Sequence, residues 1–334
     1  MTGVPNEVIH PMYLPYSPAE LAEHLPPAGA SDTGRADRWL RHFIRSATNE
    51  LVFRKANPDL RGRPVTELRT PLQIDKDERF WIATAMMRLL RHKESRSRLS
   101  SVLASIYGAQ PPVGGSWEEL LDGTIHLYFE ALLPSPQGYK RWLADRIDTH
   151  PVRYIRDAAR RPASDGIRSN LEGPTHVDAI VVVPETGFGL IVEAKALSDI
   201  SVDVTFDPLR NQIVRNVDVM PETNERLPKP LSSRDPRFTF FLLVTPQIFL
   251  DHPTSRLYGW LMNEYRSDEA ALRRDLPHRS IEELSGVGRR LGWTSFEAIT
   301  ALHPDACPWL VSLTSRTRMV KLTDHKRWIG LQFV

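Results

Sequence analysis

The runs Asp178-Ala179-Ile180-Val181-Val182-Val183 and Gly189-Leu190-Ile191-Val192-Glu193-Ala194-Lys195 restrict this chain more than any other stretch. Both are short and rich in β-branched residues, and Pro184-Glu185-Thr186-Gly187 separates them, a pattern that predicts a strand–turn–strand hairpin. Ala179 to Val183 and Leu190 to Val192 are apolar at successive positions instead of alternating, as in central strands covered on both faces.

Charge inside such strands needs compensation, because an unpaired buried ion is costly. Glu193 and Lys195 are two residues apart, so both side chains leave one face of the strand while Ala194 leaves the other. The hairpin returns Asp178 alongside them. Two neighbouring carboxylates bind a hard cation such as Mg²⁺ through oxygen, and an ammonium beside them can orient water or steady charge developing on a phosphate. That is equipment for phosphodiester hydrolysis. A cross-strand ion pair on a solvated face is the competing reading, and the doubly apolar strands weigh against it.

Asp178, a hairpin, then Glu193-x-Lys195, with Gln212-x-x-Arg215-Asn216 on a following helix, resembles the PD-(D/E)XK, or restriction-endonuclease-like, nuclease superfamily. The likeness spans roughly residues 116 to 245, and Val177 stands where the motif's name has proline. It implies an α/β fold with a central mixed sheet flanked by helices. It also implies Asp178 and Glu193 as Mg²⁺ ligands (Mn²⁺ substituting), Lys195 as the catalytic lysine and Gln212 as an accessory site residue. The superfamily often adds a glutamate from the helix before the sheet, and Glu130 is the candidate here, although it lies almost opposite the apolar face centred on Trp117, Leu121 and Tyr128. Gln212, Arg215 and Asn216 also suit an ordinary exposed helix face.

Around this core the chain divides into three. Residues 1–34 form a proline-rich arm in which Ser17-Pro18-Ala19-Glu20 opens a short helix. Residues 35–111 read as a helical accessory unit, with one helix from Asp37 and a second from Asp77 that carries Phe80, Trp81, Met87 and Leu90. From 112 onward comes the nuclease core. There Ser116-Trp117-Glu118-Glu119 is a capping box leading into a helix to about Leu133, and helices follow near Tyr139–Ile147 and Val152–Arg160. Asp207-Pro208 opens the helix through Gln212 to about Val219, and Phe238 to Val244 reads as a strand. Further helices fall at Ser255–Tyr265, Ile281–Leu291 and Ser295–Leu302, with extended segments at Met319–Leu322 and Trp328–Phe333 closing the chain.

Other chemistries are excluded more simply. No stretch approaches the roughly 18 apolar residues of a membrane span, so a cytoplasmic location is expected. One cysteine, Cys307, cannot build a disulfide framework, and no two of the 11 histidines have zinc-ligand spacing. The formal net charge of +2 does not by itself call for a polyanionic partner. Its distribution is uneven, with basic residues outnumbering acidic ones by about two to one between Arg35 and Arg98. Arg88, Arg91, Arg96 and Arg98 on one helix are the candidates for contact with a phosphate backbone, as is Arg215; a solvated face is the other reading of the helix. The expectation is therefore an Mg²⁺-dependent nuclease, with DNA ahead of RNA as partner and a role in restriction or phage defence. A second copy of the chain or a defence-complex subunit would be its protein partner. The alternative is an inactive nucleic-acid-binding or assembly module on the same fold.

Overall fold

In the computed structural model, residues 16, 18–32, 34, 36–43, 78–159, 171–200, 210–307 and 310 are described. Expectations for Asp207-Pro208, for the terminal extended segments and for half of the arm lie outside them.

The hairpin forms where the apolar runs place it. Strands β2 (Thr175–Val183) and β3 (Phe188–Ala194) pair antiparallel with Val183 opposite Phe188. Gly187 closes the turn at φ +74°, a left-handed conformation that costs glycine little, and a Cβ there would meet the Asp235 Cβ at 2.8 Å.

One expected helix is mostly strand. Ser116 and Glu119 do form a reciprocal capping box, but the helix they open, α4 (Trp117–Leu120), lasts one turn. His126–Leu133 is strand β1, antiparallel to β2. Helical spacing misled here because the strand reverses its faces midway: Leu127 and Phe129 join one apolar cluster, Ala131 and Leu133 the other. The reversal occurs at Glu130, a non-glycine residue with φ +57°.

Beyond β3, helix α7 (Gln212–Asp218) crosses to strand β4 (Thr239–Thr245), which lies parallel to β3. Leu291–Ser295, which the sequence reading gives as the junction between a helix ending at Leu291 and one starting at Ser295, is a fifth strand, β5, parallel to β4. The sheet runs β1-β2-β3-β4-β5 and is mixed.

Helices cover both faces, as the doubly apolar strands require. On one face α2 (Glu78–Leu90), α3 (Ser95–Tyr107) and α4 pack through Phe80, Trp81, Met87, Leu99, Leu103 and Trp117 against Val181, Val192, Phe240 and Val244. The two helices before the sheet therefore share its core. On the other face α7, with α9 (Leu257–Ser267), packs through Ile213, Val217, Tyr258 and Met262 against Ile180, Ile191, Phe241 and Leu243. Among the described residues no helix is long and apolar enough to cross a membrane.

An ion network anchors α7. Arg210 donates to Glu172 (3.0 Å) and Asp218 (2.6 Å), Arg279 donates to Asp218 (2.8 Å), and the Tyr139 ring lies 3.8 Å from the Arg210 guanidinium. Buried charges are tolerated only when paired in this way.

Candidate active site

At the C-terminal end of β3 the apolar strand ends in Glu193-Ala194-Lys195. Glu193 is fully buried, and Lys195 donates to its Oε1 at 2.6 Å. Asp178 on β2 reaches the same place. Its Oδ2 accepts the Ala194 N–H at 2.8 Å, and its charge acts on Glu193. Asp178 is only partly buried, so solvent reaches the pair from its side.

Two further groups complete the cluster: Glu78, which the sequence reading does not single out, and Asn216, which it names in the Gln212-x-x-Arg215-Asn216 motif without a role of its own. Glu78, first residue of α2, accepts from the Ser198 hydroxyl (2.8 Å) and the Ala196 N–H (3.4 Å), and lies 3.8 Å from the Lys195 ammonium. Asn216 on α7 donates from Nδ2 to Glu193 Oε2 at 3.1 Å. The signal for Glu78 was an acid just before Phe80-Trp81, at the start of the first of the two 13-residue helices ahead of the hairpin. It was masked because a first-turn acid is already explained by the helix dipole.

The electrostatics show a surplus of negative charge. Burial, reinforced by Asp178, pushes Glu193 up to about 8 despite Lys195. Burial also raises Asp178, against the pull of Lys195 and the Ala194 N–H. Glu78 is raised in turn, chiefly by burial. Burial works against the charge on Lys195, but Glu193, Asp178 and Glu78 outweigh it and hold the ammonium protonated. One cation thus faces three carboxyl groups.

Among the described residues no group of three or more His, Cys, Asp or Glu side chains is arranged to hold a metal ion. Mg²⁺ rarely asks for so many: one or two carboxylates, with water and substrate phosphate, are its usual set. Asp178 and Glu193 supply that pair, oxygen donors only, and their raised pKa values mark the charge deficit a divalent cation relieves. The residues fit the ion.

The other expected site residues fall out as follows. Glu130 does come to the cluster, on β1 and not on a helix; it is 6% exposed, in register with Asp178 between the pairs Phe129/Ala179 and Ala131/Val177, and its charge raises Asp178. Gln212 is part-buried at the start of α7, and the contact with Glu193 belongs to Asn216, one turn further on. Arg215 faces inward, donating to the Gly173 and Pro174 carbonyls (2.9 and 2.8 Å) and sitting 3.5 Å from Glu172.

The arginine helix is two helices broken at 91–94, which separates Arg88 on α2 from Arg96 and Arg98 on α3. Arg98, 6% exposed, is paired with Asp305, so it presents no charge to a partner. Arg96 pairs with Asp122 at 2.9 Å, and Arg91 lies 3.5 Å from Glu20. Arg88 is part-buried, with its Nε buried and without a hydrogen-bond partner among the described residues. Of these four arginines, Arg91, Arg96 and Arg98 therefore each face a carboxylate of the same chain.

Searched against protein-family models, curated proteins and solved structures, the chain matches none.

Proposed function

We propose that this protein is a Mg²⁺-dependent nuclease that hydrolyses phosphodiester bonds, DNA being the leading substrate and restriction or phage defence the setting. The observation that carries this reading is the convergence of Asp178, Glu193 and Lys195 on one partly solvent-reached, negatively surplus cluster. The sequence resemblance to PD-(D/E)XK nucleases supports it, as does a mixed sheet flanked by helices with the site at the end of its central strand.

Asp178 and Glu193 would hold the ion. When bound, a divalent cation acts as a Lewis acid at the phosphate and lowers the pKa of water. Lys195, held protonated by three carboxyl groups, is a cation and not a base in this state, so its part is to steady charge on the phosphate oxygens. Asn216 fixes the Glu193 carboxyl, and the Ala194 N–H fixes that of Asp178. Preorganised donors of this kind need no rearrangement as charge develops.

Incubating the protein with plasmid, single-stranded DNA and RNA in Mg²⁺, Mn²⁺ or EDTA tests the reading. Cleavage of at least one substrate with either metal, and none in EDTA, is expected. Intact substrates throughout would leave the non-catalytic binding or assembly module as the better reading.

A further inference from the structure

A short chain of contacts joins the catalytic cluster to the start of α9. Ser198 donates to Glu78 at 2.8 Å, and Glu78 lies 3.8 Å from the Lys195 ammonium. One residue before Ser198, the Leu197 carbonyl accepts from the Arg256 guanidinium at 3.3 Å. One residue after it, Asp199 accepts the Leu257 N–H at 2.8 Å. From Lys195 to Asp199 the chain can span at most about 14 Å, so the first turn of α9 stands beside the active site.

Arg256 is held there by neutral groups. Among the described residues its guanidinium donates only to carbonyls, those of Leu197 and of Ser255 (3.1 Å), and it lies 4.6 Å from the Phe249 ring centroid. Its Nε is buried without a hydrogen-bond partner. Arg210 and Arg279, by contrast, are both answered by Asp218. Arg256 is part-exposed, and no carboxylate among the described residues bonds to it. Beside it, Leu257 and Trp260 are three residues apart on one face of α9 and are 42% and 54% exposed. Apolar side chains exposed singly need no explanation, but an indole, a leucine and a guanidinium together on one turn mark a contact surface. A cation next to an open aromatic ring suits single-stranded nucleic acid, with charge for the phosphates and a π-face for the bases.

We propose that Arg256 and Trp260 bind an unpaired stretch of the substrate, Trp260 stacking on a base and Arg256 engaging a phosphate within a few nucleotides of the one cleaved. The proposal rests on the nuclease reading above and narrows it: the preferred substrate is single-stranded, or unpaired next to the cleavage point. Bases inside a duplex are stacked on one another and offer the indole no free face.

Cleavage kinetics in Mg²⁺ or Mn²⁺ on single-stranded DNA, single-stranded RNA and duplex DNA test this, with full-length wild type, Trp260→Ala, Trp260→Tyr and Arg256→Gln. Wild type should have its highest kcat/KM on a single strand. Trp260→Ala should lower that value by about 5- to 100-fold, the worth of one stacked base, with duplex cleavage and melting temperature unchanged, and Trp260→Tyr should keep most of it. Arg256→Gln retains a donor for the Leu197 carbonyl; it should lower kcat/KM by about tenfold or more and make its salt dependence shallower, as loss of one phosphate contact requires. Wild type that cleaves only duplex, or Trp260→Ala that matches wild type or loses single-strand and duplex cleavage equally, would overturn the stacking contact and leave the nuclease reading standing. A lower melting temperature in Arg256→Gln, or an unchanged salt dependence, would return that side chain to a structural role. If wild type cleaves no nucleic acid, the nuclease reading fails and this surface with it.

Discussion

Glu193 concentrates the tension in the molecule. Its ordinary value is 4.5 and burial with Asp178 lifts it to about 8, so between these the folded protein holds a proton that the unfolded chain has released. The contribution of Glu193 to stability is fullest below about pH 4.5 and is lost as pH rises towards 8, since the unfolded state then binds fewer protons. Glu193→Gln removes that penalty. In metal-free buffer at pH 8 the variant should melt no lower than wild type, and its stability should depend less on pH across this window. Cleavage should fall by more than the roughly 10- to 100-fold that losing an outer-shell partner costs, because a direct ligand is gone. A variant that melts lower yet still cleaves would identify Glu193 as one half of a structural ion pair.

At the scale of elements, the hairpin was legible in the sequence because its signal is redundant: β-branched runs, a Pro-Glu-Thr-Gly turn and charges two residues apart all agree. The companions of the site were less legible. Glu130 was assigned to a helix because β1 reverses its faces and so lacks the period of two that marks a strand. Asn216 was named in the helix motif but the accessory role went to Gln212, and β5 is only five residues long and contains a glycine.

The reversal at Glu130 carries its own test, for a left-handed residue with a side chain costs roughly 1–2 kcal/mol. Glu130→Gly and Glu130→Ala remove the same carboxylate, but only glycine relieves the backbone. Urea unfolding should find the glycine variant more stable than the alanine variant by about 1 kcal/mol. Equal stability, or the opposite order, would show that the conformation at Glu130 is unstrained. Asn216→Ala, which leaves Glu193 Oε2 without its donor, should lower kcat/KM by about 10- to 100-fold; an unchanged rate would confine α7 to a packing role.

For the whole molecule, the buried network around Arg210 and Asp218 ties the segment before β2, helix α7 and the segment before α11 (Ile281–Leu284) into one body around the site. Burial alone would raise Asp218, but Arg210, His278 and Arg279 together hold it well below its ordinary 3.8. A depressed carboxylate contributes stability above its unfolded value and loses it as pH falls through the folded one. Wild type should therefore lose stability below about pH 4, and Asp218→Asn should flatten that acid limb. The variant should also be less stable at pH 7 by about 1–3 kcal/mol, because Arg210 and Arg279 each lose one charged partner while Arg210 keeps Glu172 and Arg279 keeps Glu222. An acid limb unchanged in the variant would place the acid-sensitive charge elsewhere.

The claim on which the rest depends is that Asp178 and Glu193 form a divalent-cation site. Mn²⁺ titration followed by electron paramagnetic resonance, on wild type, Asp178→Asn, Glu193→Gln and Lys195→Ala, addresses it without requiring the right nucleic acid. Saturable binding is expected in wild type and in Lys195→Ala, and its loss in both carboxylate variants, since the lysine acts on phosphate and not on the ion. Mn²⁺ binding that is absent from wild type, or that survives in both carboxylate variants, would contradict the site.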